Sequence, residues 1–201
     1  MQTVNLGGRP REFDTDEALD RAMRVFWAQG YEGTSLTDLT DALGITRSSM
    51  YAAFGNKESL FRMAMKRYAA GPAAYVSRAL ERDTAAEVAH AFVMGAVEAT
   101  TLPNSPAGCL SVQGSLAAGK AGVVARDALI AWREDGYTGL RRRFEQAVAL
   151  GDLPPQADPH LLARYLMMVV NGIAVQAAGG VPRSDLEQVG DLALRNLPLT
   201  A

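Results

Sequence analysis

The chain has 201 residues, of which 48% are hydrophobic and 21% charged, and a formal net charge of −2. That makeup fits a globular protein of one large domain or two small ones sharing a core, and excludes disordered and fibrous classes. A single cysteine excludes an intramolecular disulfide framework. With no apolar run after a basic start to read as a secretory signal, it fits a reducing cytoplasm. Two histidines beside that cysteine argue against a zinc site, and no metal or cofactor is expected.

Start and stop signals then mark out helices along the chain. Asp14 with Glu17, Ser35 with Asp38, Thr84 with Glu87 and Ser184 with Glu187 each place an acid three residues after an N-cap residue. Asp158 before Pro159 is a cap followed by a proline at the first helical position. Gly30, Gly44, Gly71, Gly151 and Gly179 close apolar-periodic stretches. These marks predict helices near 14–29, 36–43, 47–53, 57–80, 84–100, 108–118, 122–149, 159–178 and 184–196, an all-α fold of about nine helices. No alternating strand pattern competes. The most apolar stretch, 161–178, is interrupted by Arg164, Asn171 and Gln176, which leaves no clean run of the roughly 20 residues a bilayer span needs. It is expected to be buried on nearly every side.

Charge is unevenly spread. Residues 47–67 hold five basic side chains against one acid, Glu58, whereas residues 12–20 hold five acids and no base. A locally basic surface on an acidic protein can bind polyanions. Residues 71–201 carry 11 basic and 13 acidic side chains and show no such bias.

The segment 36–54 has the rhythm of two short helices around a glycine corner. Leu36, Leu39, Ala42 and Leu43 repeat at three and four, so one face of the first helix is buried. Gly44 permits the positive φ of a sharp end, and Ile45 anchors the turn. In the second helix Met50 and Phe54 point inward, with Tyr51 at the edge, while Thr46, Arg47, Ser48 and Ser49 gather at the N-terminal end. That end suits a DNA recognition helix, whose first residues meet base edges in the major groove. Arg47 can bond guanine O6 and N7, the hydroxyls of Thr46, Ser48 and Ser49 can reach bases or phosphates, and the Tyr51 phenol can reach a phosphate. A plainer reading makes Thr46 a cap and Arg47 a solvated charge.

The ordered set Phe26-Trp27-x-x-Gly30-Tyr31, Gly33-Thr34-Ser35, Gly44-Ile45, Met50-Tyr51-x-x-Phe54 and Gly55-Asn56-Lys57-Glu58 resembles the N-terminal domain of the TetR family of transcriptional repressors, from about Gly8 to Phe61. The resemblance implies an all-α homodimer with a three-helix helix-turn-helix head (1–55) and a C-terminal helical bundle that binds an effector and dimerises (56–201). It implies that Tyr51 and Lys57 hold phosphates, that Ser35 and Thr37 do so near the second helix, and that 46–52 reads bases of a near-palindromic double-stranded operator. Ala52 and Ala53 depart from the larger residues common in the family, leaving at most an apolar contact, such as Ala52 on a thymine methyl. Before the first helix, Arg9 and Arg11 on a glycine-rich leader suit a minor-groove arm, with an ordinary terminus as the plainer reading.

In the body, the resemblance assigns dimerisation to the helices near 159–178 and 184–196. The apolar circumference of the first suits a helix with a core on one side and a twin subunit on the other, without a membrane. Candidate walls of an effector pocket are Phe92 and Met94, Trp132 and Tyr137, and Met167, Met168 and Asn171; such residues at helical spacing also make plain core. Cys109 follows Pro106 and Gly108 at an expected helix start, where N–H groups can stabilise a thiolate. It resembles the cysteine with which some family members sense electrophiles or oxidants, and a small buried hydrophobe is the other reading. An all-α enzyme with Cys109 as nucleophile and His90 or His160 as base is the alternative from another class.

Overall fold

The computed structural model describes residues 13–113 and 122–198, and every regular element among them is an α-helix. In chain order these are α1 (Thr15–Gly33), α2 (Leu36–Leu43), α3 (Arg47–Phe54), α4 (Lys57–Ala70), α5 (Tyr75–Leu80), α6 (Ala85–Thr100), α7 (Leu110–Gln113), α8 (Val123–Leu150), α9 (Pro159–Ala178) and α10 (Arg183–Arg195).

Most helices begin where the caps place them. Asp14 accepts from the amides of Asp16 and Glu17, and reciprocal capping boxes form at Ser35 with Asp38 and at Thr84 with Glu87. Asp158 accepts from the His160 and Leu161 amides ahead of α9. Three of the expected helices differ. The helix predicted over 57–80 is two, because Pro72 lacks the N–H that would continue α4 and the Gly71 amide turns back to Arg67 and Tyr68. The Ser184 cap does not form: α10 starts at Arg183 after Pro182, Ser184 bonds the Asp185 carboxylate, and Glu187 pairs with Arg183. The predicted helix over 108–118 is seen over Leu110–Gln113, and its remainder lies outside the described residues.

The helices enclose two cores. In the first, α1 contributes Ala18, Ala22, Met23, Phe26 and Trp27, a spacing of three and four that keeps one face inward. Leu39, Met50, Phe54 and Leu60 close on that face, and Phe26 meets Phe61 edge-on at 5.1 Å. Such an aromatic pair adds about 0.5–1.5 kcal/mol beyond its burial. This core continues through α4 to Tyr68 and takes in Leu110, Ala125 and Leu129. The second core joins α5, α6, α8, α9 and α10 around Phe92, Leu140, Phe144 and Leu166.

Within a single chain, 161–178 buries one face and leaves the other outside. Leu162, Ala163, Leu166, Val170, Ile173 and Ala174 are buried, but Leu161, Met168 and Val175 are exposed at seven-residue spacing on the opposite face. Val189 and Leu192 of α10 extend the same apolar surface. By length and apolarity alone α9 is long enough to cross a membrane, yet its inner face packs on α6 and α8.

Candidate nucleic-acid interface and effector cavity

The corner between α2 and α3 is built as the sequence predicts. Gly44 sits at φ 68° and its N–H returns to Thr40 O at 2.9 Å, ending α2 abruptly. Met50 and Phe54 are buried beneath α3, which leaves Thr46, Arg47 and Ser48 exposed at its start and Tyr51, Ala52 and Ala53 exposed further on. Thr46 Oγ1 caps the Ser49 amide at 3.2 Å and lies 2.9 Å from Ser48 Oγ and 3.0 Å from Ser49 Oγ, so three hydroxyls cluster at this helix N-terminus. Unsatisfied amides and the positive end of the helix dipole favour anionic partners there.

The structure adds contacts that spacing does not reveal. Arg47 Nη2 donates to Thr37 Oγ1 at 3.0 Å, which lays the guanidinium across from α3 to α2 and leaves the Thr37 hydroxyl hydrogen free to donate elsewhere. Ser35 uses its oxygen to cap Asp38. Lys57 opens α4 with its ammonium 4.4 Å from the Tyr31 ring centroid; burial pulls its pKa below the usual lysine range, opposed by the charges of Glu32 and Asp38. The basic stretch is also thinner than its composition suggests. Arg62 is bound to Glu58 at 3.0 Å, and Arg67 to Asp20 at 2.7 Å, so both are partly neutralised by neighbours. Arg9 and Arg11 lie outside the described residues.

Between the two cores lies a cavity of about 270 Å³, walled by α6, α8, α9 and the segments around α5 and α7. Of the predicted pocket residues it brings together Phe92, Cys109, Trp132, Met167 and Asn171. It excludes three others. Met168 is 62% exposed, because it sits on the outer face of α9. Tyr137 is buried with its hydroxyl bonded to His160 Nδ1, under the Arg164 guanidinium. Met94 faces a separate groove with His90 and Arg183. Neither histidine therefore lines the cavity that holds Cys109.

Sequence reading missed Tyr75, Thr100, Ser111 and Arg133, which also line it. They come from four segments, and no local periodicity connects them. Tyr75 can lie close against α6 because Gly95 has no side chain: a Cβ there would stand 2.7 Å from the tyrosine ring. Burial, and then the neighbouring Cys109, pushes the Tyr75 phenol far above the usual range. Cys109 is half-buried; its sulfur accepts from Tyr68 Oη at 3.4 Å and lies 3.2 Å from Ser111 Oγ. Among the described residues no group of three His, Cys, Asp or Glu side chains could hold a metal ion.

A helix-turn-helix head with an exposed polar helix start, joined to a larger helical body with a mainly apolar cavity, is the architecture of a DNA-binding regulator. The family model described as bacterial regulatory proteins, tetR family, matches residues 18–64, and that of the tetracyclin repressor-like C-terminal domain matches residues 85–179. The chain belongs to the TetR family. It is 33% identical over 193 residues to the HTH-type transcriptional repressor ComR of Escherichia coli (strain K12), covering 95% of this chain and 92% of that one. Two solved structures of cysteine mutants of the TetR family transcriptional regulator CifR, each complexed with 26-bp double-strand operator DNA, are 41% identical with a TM-score of 0.89. They cover 94% and 95% of this chain, and all of the CifR chain is matched.

Proposed function

We propose that this protein is a cytoplasmic, non-enzymatic homodimeric repressor that binds a near-palindromic operator and is released by a small effector. The observation that carries the reading is α3: Met50 and Phe54 hold it to the core, and Thr46, Arg47 and Ser48 stand exposed at its first turn. In this reading residues 1–55 form the DNA-binding unit and 56–201 the effector-binding and dimerising unit, with α4 opening the second by sequence while its side chains pack into the first core. Arg47 and the hydroxyls of Thr46, Ser48 and Ser49 read bases; Tyr51, Lys57, Ser35 and Thr37 hold phosphates; Arg9 and Arg11 follow the minor groove. The exposed row of Leu161, Met168 and Val175, with Val189 and Leu192, supports a two-fold four-helix interface between copies.

The effector is a compact, mainly apolar molecule that enters the cavity beside Phe92, Trp132 and Asn171. Where it is an electrophile, the Cys109 sulfur bonds to its reactive carbon as that carbon's π bond or its bond to a leaving group breaks, and the thiol proton ends on the atom that takes up the electron pair or in solvent. An oxidant of the peroxide class would instead transfer an oxygen to that sulfur, giving the sulfenic acid as the O–O bond breaks and water or an alcohol leaves. Release follows because the occupied body favours a different separation of the two heads, so the ligand's differential affinity for two conformations sets the response.

Selection of bound sites from random DNA tests the first half. Two inverted half-sites about 34 Å apart are expected, and the absence of any enriched sequence would overturn it. An effector screen for release tests the second; release by an electrophile should be lost in Cys109→Ser, and release that persists unchanged removes Cys109 as the sensor.

A further inference from the structure

The segment between α6 and α7, residues 101–109, is tied to the head at two points on one face of α1. Arg24 Nη1 donates to the Asn104 carbonyl at 2.5 Å, and Trp27 Nε1 donates to the Gly108 carbonyl at 3.0 Å. Trp27 is 1% exposed, so its N–H has no water to turn to if Gly108 moves. Gly108 is itself confined. Its φ is +85°, its N–H bonds Thr100 O at 2.9 Å at the end of α6, and a Cβ on it would lie 2.9 Å from Ala178 Cβ and 3.0 Å from Ala174 O of α9. One residue thus touches the head, the cavity helix and the helix with the exposed apolar row. The next residue, Cys109, lines the cavity and is bonded by Tyr68, whose ring packs edge-on against Trp27 at 4.9 Å and against the cavity wall at Trp132 at 6.2 Å.

We infer that the Gly108–Cys109 corner is the coupling element between cavity and head, with Trp27 and Tyr68 as positioning residues that turn a displacement at Cys109 into a movement of α1 and the helices packed on it. The inference rests on the regulator reading above and specifies how its cavity is heard. Closely packed interiors pass on such displacements because they cannot absorb them, and a coupling claim stands only if removing the link removes the response while both ends remain intact.

The chain's single cysteine allows the corner to be perturbed without a known effector. N-ethylmaleimide adds the Cys109 sulfur across its ring double bond, the thiol proton ending on the adjacent carbon. Intact mass reports the adduct, amide hydrogen exchange of α1–α3 reports the head, and affinity for the selected operator reports function. In the wild-type chain one adduct is expected to change exchange in α1 and α3 and weaken operator binding about tenfold. Trp27→Phe keeps a ring but loses the N–H; it should take up the adduct, bind operator within about threefold of wild type beforehand, and lose less than about threefold afterwards, with exchange in α3 unmoved. Tyr68→Phe, a smaller change, should blunt the response in the same direction and decides the matter if Trp27→Phe does not fold. Cys109→Phe should reproduce the adduct's effect without reagent, and serves where the thiol does not react. Full wild-type responses in both linkage variants would overturn the inference, as would a head indifferent to both the adduct and Cys109→Phe. If the wild-type chain binds no DNA, the regulator reading fails, and the exchange data alone still decide the coupling.

Discussion

Arg67 grips Asp20 at two points, Nε to Oδ1 at 2.7 Å and Nη2 to Oδ2 at 2.8 Å, and so fastens α4 to α1. A basic residue that the sequence groups with a DNA-facing surface is thereby a structural clasp. The bond from Arg67, then its charge, holds the Asp20 carboxyl below the usual carboxylate range, with partial burial opposing. A lowered carboxylate pKa stabilises the fold above the unfolded-state value of about 3.9 and ceases to do so as pH falls through the folded-state value. Asp20→Asn should therefore melt a few degrees below wild type at pH 7, by roughly 2 °C for one exposed pair. Melts at falling pH should show that gap closing below about pH 4.

Arg47→Ala should relax preference at one base position of each half-site by about tenfold, the discrimination a bidentate arginine typically supplies. Its bond to Thr37 predicts a smaller loss for Thr37→Val, which frees the guanidinium from its anchor. Competition binding with single-base operator variants separates the two.

Lys57→Ala should weaken binding to every sequence alike and reduce the slope of log affinity against log salt by about one. Titrations across salt concentrations measure it, and an unchanged slope would remove Lys57 from the phosphate contacts.

Gly136 lines the cavity, and a Cβ on it would meet nothing within 4 Å. Gly136→Ala in the middle of α8 should raise stability by about 0.5–1 kcal/mol in denaturant titration. Gly136→Leu should occupy the space and weaken by at least about tenfold whatever effector a release screen yields, leaving operator affinity intact.

Met168 lies midway in the exposed row Leu161, Met168 and Val175. Met168→Asp places a charge in an apolar seam, so sedimentation should show a monomer at concentrations where the wild-type chain is dimeric, with operator affinity lost in parallel.

The legible features were those written in a few consecutive residues. Asp14, Ser35, Thr84 and Asp158 cap the helices they head because a short oxygen-bearing side chain reaches its own next turn whatever surrounds it. The turn at Gly44 was readable for the same reason. Helix α4 ended earlier than its periodicity suggested, since apolar spacing runs on across Gly71 and Pro72 while the hydrogen-bond ladder does not.

The candidate site is contiguous in the head and scattered in the body. The eight head candidates among the described residues, from Ser35 to Lys57, fall on three consecutive helices or their N-caps, so sequence distance nearly equals spatial distance. The cavity instead draws Tyr75, Phe92, Cys109, Trp132 and Asn171 from five separate segments. By itself, then, the sequence determined the all-α fold, the helix-turn-helix and the face of α3 that is left outside, all consequences of local bonding and periodicity. Tertiary structure alone decided that Arg67 serves α1, that Met168 looks outward and Tyr137 toward His160, and that Cys109 sits one residue from a carbonyl held by Trp27. Those outcomes depend on how whole helices cross, and the crossing is set by packing summed over many distant side chains, which no short stretch of sequence contains.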